Sequence, residues 1–108
     1  MDKFSVLQQY FGHNSFRPGQ EQVVDAIVSG QDVLGVMPTG AGKSVCYQVP
    51  AMLMPGLTLV ISPLISLMQD QVAALEEEGV HAACLNSALP EGLYSTILRA
   101  ALEGDYKI

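Results

Sequence analysis

The residues best equipped for chemistry are the eight from Met37 to Ser44, reading Met37-Pro38-Thr39-Gly40-Ala41-Gly42-Lys43-Ser44. An apolar run, Val33-Leu34-Gly35-Val36, precedes them, and a segment able to start a helix follows. This is the layout of a phosphate-binding loop at a strand-to-helix junction. Such a loop wraps a triphosphate in backbone N–H groups. Gly40 and Gly42 permit this, because a Cβ would block the close approach or the positive φ it needs. Lys43 then reaches the β- and γ-phosphates as a point charge, and the Ser44 hydroxyl ligates Mg²⁺. The general pattern has glycine where Met37 stands. The bland alternative is a glycine-rich turn with a chance lysine. The ordered succession of strand, loop, lysine, hydroxyl and helix argues against it.

The rest of the chain must position that loop. Its 108 residues allow one small domain. The 5 basic and 11 acidic residues leave a formal charge of −6, the wrong sign for holding nucleic acid by bulk electrostatics. Any DNA contact would then use backbone amides, hydroxyls or the few local cations. Charged residues make up only 15%, against about 25% in typical soluble domains. Mean hydropathy is +0.29. That balance suits a piece of a larger fold with core faces left uncovered. No apolar run reaches the roughly 18–20 residues of a membrane span, and the start, Met1-Asp2-Lys3-Phe4, has no secretory pattern. Cys46 and Cys84 read as buried reduced thiols in a cytoplasmic protein. Their spacing, like that of His13 and His81, suits no standard zinc site.

The apolar spacing predicts a short helix over residues 4–11, with Val6, Leu7, Tyr10 and Phe11 on one side, and a turn from Gly12 to Ser15. Pro18-Gly19 opens a second helix carrying Val23, Val24, Ile27 and Val28, and Gly30 closes it. Asp32 to Met37 reads as a parallel strand buried on both faces. A helix follows the loop, and Pro50 must kink or end it. Leu57 to Ile61 reads as a second strand. Ser62 as N-cap and Pro63 at the first helical position start the next helix, with Leu64, Leu67, Met68, Val72 and Leu75 as its stripe. Glu76-Glu77-Glu78 reads as a solvated acidic end before Gly79. Val80 to Leu85 is a third strand ended by Asn86-Ser87. Pro90 to Leu102 is a helix with Leu93, Ile97, Ala100 and Ala101 inward, and Tyr106-Lys107-Ile108 begins a fourth strand. The alternation predicts an α/β fold with a parallel sheet, right-handed crossovers and flanking helices.

Three blocks, in order, resemble the RecQ family of DNA helicases. The first runs Phe11-Gly12-His13-Asn14-Ser15-Phe16-Arg17-Pro18-Gly19-Gln20-Glu21-Gln22 and is similar to the family's adenine-recognition motif. The second is the phosphate loop continued through Val45-Cys46-Tyr47-Gln48. The third runs Val60-Ile61-Ser62-Pro63-Leu64-Ile65-Ser66-Leu67-Met68-Gln69-Asp70-Gln71-Val72, and Cys84-Leu85-Asn86-Ser87 adds a shorter match. A phosphate loop alone would indicate only an NTPase. The three blocks together are far more specific, and they cover most of the chain.

The resemblance implies the N-terminal part (residues 1–108) of the first RecA-like, P-loop NTPase lobe of an ATP- and Mg²⁺-dependent helicase. That enzyme would unwind DNA 3′ to 5′ in recombination and repair. It implies that Gln20 reads the adenine edge, where a primary amide both donates and accepts. Arg17 would lie against the ring as a planar cation. His13 either stacks on the other face or is a surface turn residue. Thr39, Gly40, Ala41, Gly42, Lys43 and Ser44 would hold the phosphates, with Lys43 and Ser44 the catalytic contributions and Ser44 the metal ligand. Ser62, Pro63 and Leu64, at a helix N-terminus, and the Asn86-Ser87 corner would touch the backbone of single-stranded or duplex DNA.

The departures are small, and the implied missing parts are large. Met37 falls at a position that is relaxed in helicase loops, and Ala41 stands where many family members have glycine. The acidic box that binds Mg²⁺ would follow Ile108, as would a second lobe with its arginine finger. These 108 residues are then expected to bind ATP at most. A DEAD-box-type RNA helicase shares the loop and an upstream glutamine, but Pro63-Leu64-Ile65-Ser66 lacks the Pro-Thr-Arg-Glu-Leu run expected there. A small-molecule kinase explains the loop and neither of the other blocks. A truncated nucleotide-binding remnant without catalysis is the remaining reading.

Overall fold

The computed structural model describes residues 2–37 and 42–108. Among the described residues there are five helices: α1 (Lys3–Phe11), α2 (Gln20–Val28), α3 (Val45–Leu53), α4 (Ile65–Glu77) and α5 (Glu91–Leu102). The chain divides into two compact units, Met1–Pro55 and Gly56–Ile108.

In the first unit the helices form where the apolar spacing places them. The Asp2 carboxylate caps α1 by accepting the Ser5 N–H at 2.8 Å, which also lowers the Asp2 pKa. Gly12 ends α1 in the left-handed region at φ 71°, a conformation costly for a residue with a Cβ. Its N–H returns to the Gln8 carbonyl and that of His13 to Leu7. Val6 and Leu7 of α1, Val24 of α2 and Val49 of α3 are buried together, with Tyr10, Phe11, Phe16, Val45, Met52 and Leu53 packed around them. The Lys3 ammonium ties α1 to α2 by bridging Glu21 at 2.8 Å and Asp25 at 2.7 Å, and these partners raise its pKa. Pro50 does not end α3. The helix runs on to Leu53, Pro50 is fully buried, and the Met54 N–H bonds its carbonyl at 2.9 Å.

The expected α/β fold with a parallel sheet is not what forms. Among the described residues there is no strand, and the regular structure is helical throughout. Residues 32–37, 57–61, 80–85 and 106–108 run without regular structure where strands were expected. In the second unit they exchange isolated bonds: Thr58 N–H to Lys107 O at 3.0 Å, Lys107 N–H to His81 O at 2.7 Å and Ala83 N–H to Ile108 O at 3.2 Å. Single bonds do not make the continuous ladder that defines a sheet. Burial agrees, since Leu34 is 91% exposed, Val36 86% and Ile61 98%. A strand covered on both faces could not leave such side chains in water.

Two further expectations shift in the second unit. α4 starts at Ile65, later than Ser62-Pro63 implied, with extended Leu64 at its cap position and no side-chain capping bond. The Ser62 hydroxyl instead accepts the Leu64 N–H at 3.3 Å, closing a short local turn. On α5 the inward stripe is only partly covered: Ile97, Ala100 and Ala101 are half-buried, Leu93 is 45% exposed, and no residue of the helix is buried.

Candidate nucleotide site

The turn after α1 and the start of α3 enclose a cavity of about 270 Å³, lined by His13, Ser15, Arg17, Gln20, Gly42 and Val45. It lies just below the roughly 300–1,000 Å³ of sites that take a whole small molecule. It suits a heteroaromatic base better than an entire nucleotide. Its walls offer an imidazole, a hydroxyl, a guanidinium, a primary amide and one apolar side chain, the mixture a purine needs.

Gln20 organises this region. It opens α2, is only 3% exposed, and its side-chain amide is clamped at both ends. The Arg17 N–H donates to Oε1 at 2.8 Å, and Nε2 donates to the Gly42 carbonyl at 3.0 Å. Gly42 has φ 78°, and a Cβ added there would stand 2.5 Å from Gln20 Nε2 and 3.8 Å from an Arg17 guanidinium nitrogen. The positive φ favours glycine here, and a Cβ would displace the end of the Gln20 side chain.

Of the residues expected to bind nucleotide, His13, Arg17, Gln20 and Gly42 share the cavity. Lys43 follows in an exposed turn, and Ser44 is the N-cap residue of α3 with no side-chain capping bond. Thr39, Gly40 and Ala41 lie outside the described residues. Burial raises the Tyr47 pKa, opposed by side-chain hydrogen bonds with Ser44 and Gln48, which ties the Ser44 hydroxyl to the first turn of α3.

In the second unit the Asn86 carboxamide accepts the Ala88 N–H at 2.9 Å, fixing an Asx turn in which Ser87 is exposed. Pro63 and Leu64 are exposed ahead of α4, and Ser62 is half-buried.

Three site features have no clear signature in the sequence. Ser15 and Val45 line the cavity, yet one reads as a turn residue and the other as a helix core residue. The Met37 sulfur lies 4.0 Å from the Cys46 sulfur, and its methyl group lies 3.6 Å from where a Gly19 Cβ would stand. The side chain at the position usually held by glycine thus bridges the turn before α2 and the body of α3. Burial raises the Cys46 pKa, so this thiol stays neutral.

Residues 17–98 match the DEAD/DEAH box helicase family. The chain belongs to that family. Within it, the similarity is to RecQ enzymes. The ATP-dependent DNA helicase RecQ of Haemophilus influenzae is 51% identical over 104 residues, covering 96% of this chain and 17% of its own length. That of Bacillus subtilis is 48% identical over 105 residues, 96% of this chain and 18% of its own. That of Pasteurella multocida is 59% identical over 83 residues, 77% of this chain and 13% of its own. This helicase-family chain therefore spans less than a fifth of the relatives it matches. The matched stretch holds Arg17, Gln20, Gly42, Lys43 and Ser44, whereas His13 and Ser15 precede it.

Proposed function

We propose that this chain supplies a nucleotide-binding part of a RecQ-type, ATP-dependent DNA helicase that unwinds DNA 3′ to 5′ in cytoplasmic recombination and repair. The observation that carries the reading is the cavity where His13, Arg17 and Gln20 meet Gly42 of the phosphate loop. Residues of two motifs, well apart in sequence, converge on one place with the chemistry of a base and a triphosphate.

The residues fit ATP. Arg17 and Lys43 are two of only five basic residues, and Lys3 is already committed to Glu21 and Asp25. The cavity, lined by His13, Arg17 and Gln20, would accept the base, with Arg17 and His13 against its faces and the Gln20 amide at its edge. The start of α3 directs backbone N–H groups at the phosphates, and Lys43 adds the charge. For Mg²⁺ the chain offers the Ser44 hydroxyl. Phosphate oxygens and water would share the ion's shell with that hydroxyl. Bound Mg²⁺ would neutralise charge on the β- and γ-phosphates.

DNA would be touched by Ser62, Pro63 and Leu64 and by Asn86-Ser87. The exposure of Pro63, Leu64 and Ser87 and the absence of a side-chain cap on α4 support this reading. With a net charge of −6, such contacts would rely on hydroxyls and backbone amides more than on cations.

The test is fluorescent-ATP binding with Mg²⁺, beside Lys43→Ala and Gln20→Ala. Saturable binding that both changes weaken, and that ATP competes better than GTP, is the expected result. Binding indifferent to Lys43 would defeat the assignment.

A further inference from the structure

We infer that Met37 is an oxidation-sensitive site: hydrogen peroxide converts its thioether to the sulfoxide, and this weakens nucleotide binding. The inference rests on the nucleotide reading above. It starts from where the side chain stands. Met37 is half-buried, so a small oxidant reaches it from solvent. Its sulfur accepts the Cys46 S–H at 4.0 Å, and its methyl carbon lies 3.6 Å from where a Gly19 Cβ would stand. Gly19 caps α2 immediately before Gln20, and Cys46 follows Val45 in the first turn of α3. Gln20 and Val45 both line the cavity. The thioether thus lies against the chain neighbour of a cavity residue on each of two elements.

The consequence follows from the chemistry of sulfur. The thioether gives a lone pair to one peroxide oxygen, the O–O bond breaks, and the second oxygen leaves as water with both protons. The sulfur loses two electrons and the peroxide gains them. The product is polar and bulkier, where the thioether was apolar and adaptable. An oxygen on that sulfur either enters the contact with Cys46 or turns toward solvent, and turning it swings the methyl group relative to Gly19. Either way the packing between the turn before α2 and the body of α3 changes. Cys46 is not the reactive member of the pair. It is 8% exposed and burial keeps its thiol neutral, whereas peroxide attacks thiolates. Met52, Met54 and Met68 do not line the cavity, so their oxidation serves as an internal control.

The test treats the full chain and Met37→Leu with hydrogen peroxide. Peptide mass spectrometry counts the added oxygens, and ATP affinity with Mg²⁺ is measured before and after in each chain. Met37 is expected to gain one oxygen, and ATP affinity of the unaltered chain to fall by about 5–30-fold, the scale of one polar group misplaced in a packed contact. Methionine sulfoxide reductase should restore it. Met37→Leu should keep its own starting affinity although its other methionines oxidise. Equal losses in the two chains, or a Met37 sulfoxide that binds ATP like the thioether, would overturn the inference. A second measurement needs no nucleotide: iodoacetamide labelling of Cys46 should quicken after peroxide in the unaltered chain and not in Met37→Leu. Unchanged labelling once Met37 is oxidised would show that the contact does not open, and would also overturn it. If the untreated chain binds no ATP, the nucleotide reading fails and the effect on binding falls with it, while quickened labelling would still establish Met37 as the oxidation site that opens this contact.

Discussion

The two units use similar sequence material and bury it differently. In residues 2–55, α1, α2 and α3 carry apolar stripes that close on one another, leaving Val6, Val24 and Val49 at 0% exposure and Leu7 at 1%. In residues 56–108, α4 buries only Leu75 and α5 buries nothing, while Leu102 is 80% exposed. The α5 stripe is as regular as that of α2. Periodicity tells which side chains share a face of a helix, and only a packed neighbour decides whether that face is dry. The cavity lined by His13, Arg17, Gln20 and Gly42 belongs to the unit whose helices are so packed.

The sharpest way to break this contrast is truncation of a leucine in each unit. Leu7→Ala is expected to cost about 2–5 kcal/mol in urea unfolding, since it empties a closed core. Leu102→Ala should stay within about 0.5 kcal/mol. Equal losses would mean that the difference in burial does not carry stability.

Glycines give the next comparison. Gly42 and Gly79 both have positive φ, at 78° and 87°. A Cβ at Gly79 meets nothing within 4 Å, whereas one at Gly42 stands 2.5 Å from Gln20 Nε2. Gly79→Ala should cost about 1–2 kcal/mol for the left-handed backbone alone. Gly42→Ala should add the loss of ATP binding, because it displaces the amide that organises the site. ATP affinity unchanged by Gly42→Ala would show that the Gln20–Gly42 contact is incidental.

A smaller effect separates the cysteines. Cys46 is 8% exposed and burial raises its pKa, whereas Cys84 is half-buried. Iodoacetamide at pH 8 should label Cys84 well before Cys46, as read by mass spectrometry of the two peptides. With its folded pKa raised, the stability contributed by neutral Cys46 is full below the thiol's unfolded pKa. It is lost as pH rises through the raised value. Faster labelling of Cys46 would contradict its burial in the first unit.

Local signals were legible in the sequence where local physics decides. The helix at 4–11, the turn at Gly12 and the helix opened by Pro18-Gly19 all follow from spacing and caps, and α1 and α2 form there. The runs at 32–37, 57–61 and 80–85 looked like strands because they are apolar and rich in branched side chains. A strand exists only through hydrogen bonds to another segment, and composition cannot specify those. Ser62-Pro63 placed the helix start too early: the Ser62 hydroxyl accepts the Leu64 N–H in a local turn, and α4 begins at Ile65. At the site, family resemblance picked out His13, Arg17 and Gln20. One partner of the Gln20 side chain lies 22 residues away at Gly42, a distance no spacing rule covers. Ser15, Val45 and the Met37–Cys46 contact are tertiary accidents of the same kind.

A nucleotide site built within the first unit around Gln20 and Gly42 would show in hydrogen exchange of the full chain with and without Mg²⁺-ATP. ATP is expected to slow exchange in peptides covering residues 13–20 and 42–48 more than in any peptide from 56–108. Protection confined to residues 56–108, or none anywhere at saturating ATP, would contradict it.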